Sequence, residues 1–234
     1  MTAWICNKPI TPIYADSDEK RAIGEALLGQ PFIRCGETHK LYQVKVWGIL
    51  GWVSKEDVER VHFDPSIFNR SITSLNAIVY ENSDVHSRHV SMLYCGTKVN
   101  IIMKGDQWSY IEALGVSGWI FSYHLIVSNV AAQFLGVRQL EGFNSFEGID
   151  SLGLIHLHLS ALGYEVPKTL EGISKVGNEV RLQDVKAGDI LIYAGGERLG
   201  VCQEEEMYIY VNERQVAKAA LSTLNSNLIQ ARRI

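Results

Sequence analysis

The sequence predicts two small all-β barrels in tandem followed by an α+β domain, and three observations carry that prediction. Leu28-Gly29 and Gly51-Trp52-Val53 recur 67 positions later as Cys95-Gly96 and Gly118-Trp119-Ile120, so one unit is present twice. Within each copy an aromatic-rich segment alternates with period two, Leu41-Tyr42-Gln43-Val44-Lys45-Val46 and Trp108-Ser109-Tyr110-Ile111-Glu112-Ala113, as a half-buried strand does. After Val127 the texture changes to helix signals and a nearly all-apolar segment, followed by short strand-like runs.

Taken in order, residues 1–62 form the first unit. Ile13-Tyr14-Ala15-Asp16 reads as a short strand running into a polar turn, and Val79-Tyr80-Glu81-Asn82 is its counterpart. Several short strands with Gly or Asp turns suit a small barrel. Gly51 and Gly118 mark close backbone approaches, and Trp52 and Trp119 beside them read as core aromatics. Residues 63–71, with Pro65, read as a linker, and 72–127 as the second unit. Ser128 is placed to cap a helix running through Ala131, Ala132, Phe134 and Leu135 and ending at Gly136. A loop over 137–150 leads to Ser151, placed to cap a second helix whose apolar positions Leu154, Ile155, Leu157, Leu159 and Leu162 stop at Gly163. A helix apolar on nearly every side is a buried one. Strand-like runs over 189–193, 199–203 and 207–211, the first two joined by a Gly195-Gly196 turn, complete a domain over 128–234.

Composition bounds the function. A chain of 234 residues that is 47% hydrophobic has enough apolar material for real cores, which excludes wholesale disorder. The net charge of -4 and the lack of any Lys/Arg cluster argue against nucleic acid as a partner. No stretch approaches the roughly 18 apolar residues of a membrane span, and the first residues show no signal-peptide pattern, so a cytoplasmic location is expected. Cys6, Cys35, Cys95 and Cys202 are isolated, which predicts reduced thiols and no zinc site, and no other metal or cofactor motif is present. All five Trp lie at or before Trp119 and all seven His at or before His158.

The Tyr-led strand, the Leu-Gly turn and the closing Gly-Trp-Val/Ile of each repeat resemble the bacterial SH3-like domain. Phe134-Leu135-Gly136 and the stretch Phe146-Glu147-Gly148-Ile149-Asp150-Ser151-Leu152-Gly153-Leu154 resemble the start of the NlpC/P60 domain, whose signature reads Gly-Ile-Asp-Cys-Ser-Gly-Leu. Leu182-Gln183-Asp184-Val185-Lys186-Ala187-Gly188-Asp189-Ile190 and Leu199-Gly200-Val201 resemble two further strand motifs of that family. The resemblance implies a papain-like α+β fold over 128–234. The order of two SH3-like units and this domain resembles that of murein-peptide γ-D-glutamyl-diamino-acid endopeptidases.

In that family a Cys at the start of the buried helix attacks as a thiolate, a His on the facing sheet serves as its base, and a third polar group orients the His. The Cys position is here Ser151, the His position falls at Arg198, and the third position at Tyr208 to Tyr210, Tyr210 being the candidate. A serine hydroxyl needs a base even more than a thiol does, and no histidine follows His158. No intact catalytic set is thus expected, and the resemblance implies a catalytically inactive relative, a pseudoenzyme that binds a murein peptide or another protein. The alternatives are an active hydrolase of the γ-D-Glu-diamino-acid bond using Ser151 with a Lys or His from elsewhere, and a scaffold whose groove is filled by Phe143, Glu141 and Arg198.

Leu152 stands where the family has Ser, and Arg138-Gln139-Leu140-Glu141-Gly142-Phe143 where it has Pro-Tyr-x-Trp-Gly-Gly. Asp150, Glu141 and Arg138 are the ligand-binding candidates. For Asp150 the resemblance implies contact with a substrate amine, while its position before a helix equally suits a cap. His156 and His158 lie two apart on a helix and cannot share a metal. Cys202 reads as a small buried hydrophobe, Glu204-Glu205-Glu206 as a solvated turn, His86 and His89 as surface residues, and Arg232-Arg233 as too short a basic patch for a ligand.

Overall fold

Residues 2–62, 64–126, 129–193, 198–204, 206–223 and 228–234 are described by the computed structural model of the chain, which divides into two compact units, Met1–Ser128 and Asn129–Ile234. In the first unit β1 (Thr2–Cys6), β2 (Ile10–Tyr14), β3 (Ala22–Leu27), β4 (Pro31–Glu37), β5 (Leu41–Val46), β6 (Ile49–Ser54) and β7 (Val58–His62) make a seven-stranded sheet in the order β3-β2-β6-β5-β4-β1-β7. The next strands are β8 (Arg70–Ser71), β9 (Asn76–Tyr80), β10 (His89–Tyr94), β11 (Lys98–Met103), β12 (Trp108–Ala113) and β13 (Val116–Phe121), in the order β10-β9-β13-β12-β11-β8. The run β3-β2-β6-β5-β4 thus reappears as β10-β9-β13-β12-β11, so the sequence repeat is also a repeat of topology.

The two expected barrels are not seen. Neither sheet closes among the described residues: β1 and β7, which carried no repeat signal, extend the first sheet beyond β4, and β8 extends the second beyond β11. Part of the expected linker is structured too. Arg70–Ser71 pairs with β11, and the Asp64 carboxylate accepts the Ser66 N–H at 3.0 Å to cap a short 3-10 turn over Pro65–Ile67; Phe63 lies outside the described residues.

The repeated glycines do what the sequence implies. A Cβ on Gly51 would lie 2.7 Å from the Tyr14 carbonyl oxygen, and one on Gly118, at φ +157°, would lie 2.5 Å from that of Tyr80. Tyr14 pairs with Trp52 and Tyr80 with Trp119, so the closing strand of each repeat packs tightly on an early one at that point. The tryptophans themselves are only half-buried, contrary to the core role expected of them. Period-two alternation turns Gly51 and Val53, and Gly118 and Ile120, inward, which leaves Trp52 and Trp119 on the other face, Trp119 edge-on to Tyr110 at 5.4 Å.

Cys6, Ile13, Phe32, Val44 and Val53 anchor one core of this unit, and Ile72, Val79, Leu93, Ile111 and Ile120 the other. Leu28, from the Leu-Gly turn of the first repeat, is buried in the second core, and a Cβ on Gly29 would lie 2.9 Å from the Leu114 side chain.

The second unit opens with α1 (Val130–Gln133), capped by the Asn129 side chain, which accepts the Ala132 N–H. Ser128, the cap read from the sequence, lies outside the described residues. A short ribbon, β14 (Asn144–Ser145) and β15 (Gly148–Ile149), leads into α2 (Ser151–Ala161). Then come α3 (Leu170–Ser174), β16 (Asn178–Val180), β17 (Ile190–Tyr193), β18 (Leu199–Cys202), β19 (Met207–Val211), β20 (Val216–Ala220) and β21 (Leu228–Arg233), with sheet order β16-β21-β17-β18-β19-β20. The Gly195-Gly196 turn lies outside the described residues.

Helix α2 is buried on nearly every side, as its composition requires, and packs against β18 and β19. Leu191, Tyr193, Cys202 and Tyr208, with Tyr210 against them, cluster on one face of the sheet, so alternation gives Val201, Ile209 and Val211 to the other.

Candidate binding cleft

The start of α2 is built by Asp150, not by Ser151. Asp150 Oδ1 accepts the Gly153 N–H at 2.5 Å, which makes Asp150 the N-cap and Ser151 the first helical residue. The other oxygen, Oδ2, accepts the Gly142 N–H at 2.7 Å and lies 3.2 Å from Lys168 Nζ. Both charged side chains are buried, 3% exposed for Lys168 and 8% for Asp150. Lys168 also donates to Asn144 Oδ1 at 2.6 Å and to the carbonyls of Gly142 and Phe143 at 3.2 and 3.4 Å. One buried ion pair therefore ties the loop over 142–144 to the head of the helix. Its charges compensate each other and its hydrogen-bonding capacity is largely used, which is what burial of two ions demands.

A cleft of about 450 Å³ opens beside this helix start, lined by Gln139, Glu141, Asp150, Ser151, Leu152, Arg198, Val211, Asn212 and Glu213. Four residues singled out in the sequence, Ser151, Arg198, Asp150 and Glu141, thus meet in one place. The helix brings Ser151, and the start of β18 brings Arg198. The other two candidates lie elsewhere. Tyr210 pairs in register with Gly200 and sits on the opposite face of the sheet, stacked on Tyr208 at 5.0 Å; its neighbour Val211 reaches the cleft instead. Arg138 donates from Nε to the Glu147 carbonyl at 2.6 Å and pairs with the Glu147 carboxylate at 3.7 Å, outside the cleft lining.

Among the described residues the cleft lining contains neither imidazole nor amine. Arg198 stands at the position where the resemblance places a histidine, and a guanidinium has no lone pair with which to take a proton. His156 is held through Nδ1 to the Val166 carbonyl at 2.9 Å. His158 is buried in α2 with neither ring nitrogen hydrogen-bonded among the described residues, and burial pushes its pKa down to about 4. The nearby ammonium, that of Lys168, is taken up by Asp150. Cys202 is buried, with its thiol pushed up to about 12, the state of an inert core residue. No group of three metal-binding side chains occurs among the described residues, and no helix is long and apolar enough to cross a membrane.

Three features escaped the sequence reading. Lys168 carries no motif or periodicity that signals burial. Asn212 and Glu213 follow a strand whose face cannot be assigned without its register. The terminal arginines are structural: Arg233 holds the buried Asp189 through two bonds, at 2.9 and 2.8 Å, and Arg232 donates to the carbonyls of Val176 and Gly177. His86, His89, Glu204 and Glu206 are exposed, while Glu205 lies outside the described residues.

No family model matches the chain. Over 83 residues it is 34% identical to the gamma-D-glutamyl-L-lysine dipeptidyl-peptidase of Bacillus subtilis (strain 168), a match that takes 36% of this chain and spans only 28% of the relative's length. Among solved structures, RipD of Mycobacterium tuberculosis, described as a non-catalytic NlpC/p60 domain protein adapted to peptidoglycan binding, overlaps 44% of this chain and 91% of its own at 18% identity, with a TM-score of 0.38. An NlpC/P60 family protein from Bacillus cereus ATCC 10987 superposes on 100% of this chain and 99% of its own, at 16% identity and a TM-score of 0.75. Mostly β with few helices, the chain therefore has the fold of an NlpC/P60 family protein.

Proposed function

We propose that the chain is a catalytically inactive relative of murein-peptide cysteine endopeptidases that binds a murein peptide in the cleft at the head of α2. In this reading residues 128–234 are the NlpC-type domain, and 1–62 and 72–127 are two bacterial SH3-like domains. The observation that supports it is the cleft itself, open at about 450 Å³ and lined by both Ser151 and Arg198, the residues to which the resemblance assigns the positions of a nucleophilic Cys and its His base. A hydroxyl without a base is a poor nucleophile at neutral pH, so the cleft retains a place to bind and lacks a means to attack. The alternatives are less well supported. A serine hydrolase needs an imidazole or amine at Ser151, and the lining offers none among the described residues. A filled groove needs Phe143, Glu141 and Arg198 to plug the cleft, yet Glu141 and Arg198 line open space and Phe143 is not among the lining residues.

The test is incubation of the purified chain with L-Ala-γ-D-Glu-diaminopimelate, with products followed by mass spectrometry and binding by calorimetry. Saturable binding without cleavage is expected. Cleavage that disappears in Ser151→Ala would overturn the proposal.

A further inference from the structure

The charges around the cleft bear on what the ligand carries. Asp150, the carboxylate nearest the helix start, is committed to the Gly153 and Gly142 N–H groups and neutralised by Lys168. It has little left for a ligand's amine and does not cancel a positive charge placed beside it. What remains at the head of α2 is donor-rich. The N–H groups of a first helical turn have no intrahelical acceptors and carry the positive end of the helix dipole. The Ser151 hydroxyl adds another donor.

Arg198 completes the set. Its side chain is 53% exposed, and its ion-pair partner among the described residues is Glu213, at 3.7 Å, beyond hydrogen-bonding distance. Glu213 is itself 92% exposed, so the pair is of the loose surface kind that a ligand displaces at little cost. A guanidinium presents parallel N–H donors that match the two oxygens of a carboxylate. Glu141 and Glu213, both exposed, also line the cleft. They oppose a compact multiply charged anion such as a phosphate, and can be met by the ammonium groups that a zwitterionic peptide carries beside its carboxylates.

We infer that Arg198, together with the start of α2, anchors a carboxylate of the bound ligand, so that the cleft selects peptides with a free carboxylate over their amides. This rests on the peptide-binding reading of the cleft. Arg198 then acts as a specificity residue at a position where the resemblance implied a base.

The test compares two ligands, L-Ala-γ-D-Glu-diaminopimelate and the same tripeptide with every carboxylate amidated, by calorimetry on the full chain. The wild type is expected to prefer the free acid by about tenfold or more, the scale of one charge-assisted contact. Arg198→Gln is expected to abolish that preference by weakening the acid alone, and Arg198→Lys, which keeps the charge without the fork, to retain part of it. Arg198 is exposed enough that a thermal melt should show each variant folded. If the wild type binds both peptides alike, or Arg198→Gln keeps the preference, the anchor is overturned while peptide binding stands. If neither peptide binds, the peptide reading fails and the anchor with it.

Discussion

Lys168 shows how a single side chain can decide what a neighbouring one is available to do. Asp150 reads from the sequence as either a helix cap or a ligand contact; it caps α2 through Gly153, and an ammonium lies 3.2 Å from its carboxylate. Breaking a buried pair on one side strands the other charge, so Lys168→Met is expected to destabilise the second unit by about 3–5 kcal/mol. Lys168→Met with Asp150→Asn should recover much of that loss, since no buried charge is then left alone. Urea denaturation followed by far-UV circular dichroism would show both. At this scale the sequence was half legible. Asp150 and Ser151 stand next to a long apolar run, and that adjacency marks a helix start; Lys168 lies past Pro167 in a segment with no period, where nothing distinguishes a buried lysine from a solvated one.

Among the elements, the alternating strands of the repeat and the apolar runs that form β17, β18 and β19 are legible in the sequence, whereas β20 and β21 are not. β5, β6, β12 and β13 fall where the 67-residue spacing puts them. β20, Val216–Ala220, is built from Val, Ala and Lys, mostly weak strand formers, and gains its structure from pairing with β19. β21 ends in Arg232 and Arg233, whose charges read as surface until Asp189 and three backbone carbonyls are seen to take them up. The closing strands of the repeats also yield a comparison of glycines. At Gly118 a Cβ would strike the Tyr80 carbonyl, whereas at Gly115, φ +73°, it would meet nothing within 4 Å. Gly115→Ala is therefore expected to cost only the left-handed backbone penalty, about 1–2 kcal/mol. Gly118→Ala should cost more, because two strands must also separate. The difference in melting temperature between the two variants measures that separation.

For the whole molecule, acid is the informative perturbation. His124 in the first unit and His158 in the second are both buried, and burial holds each near a pKa of about 4. Each is neutral when folded and takes up a proton near pH 6.5 when unfolded. Their stabilising effect is therefore full above about pH 6.5 and is lost as pH falls towards 4, by about 3 kcal/mol for His158. Urea titrations at pH 7 and pH 4.5 should show the loss, and His158→Leu should flatten it in the second unit. The two units can be followed separately, because all five tryptophans lie in the first. Indole emission tracks that unit alone, and circular dichroism tracks both.

Leu28 has a consequence for any attempt to separate the two repeats. A piece of chain spanning only residues 72–127 would keep Ile72, Val79 and Ile120 but would carry a void where Leu28 is inserted, and a piece spanning 1–62 would present that leucine to water. The halves are alike in topology yet unequal in dependence: the second is a socket and the first carries the plug. Despite their duplicated form, the repeats are therefore expected to melt in one transition of tryptophan emission, as a single thermodynamic body.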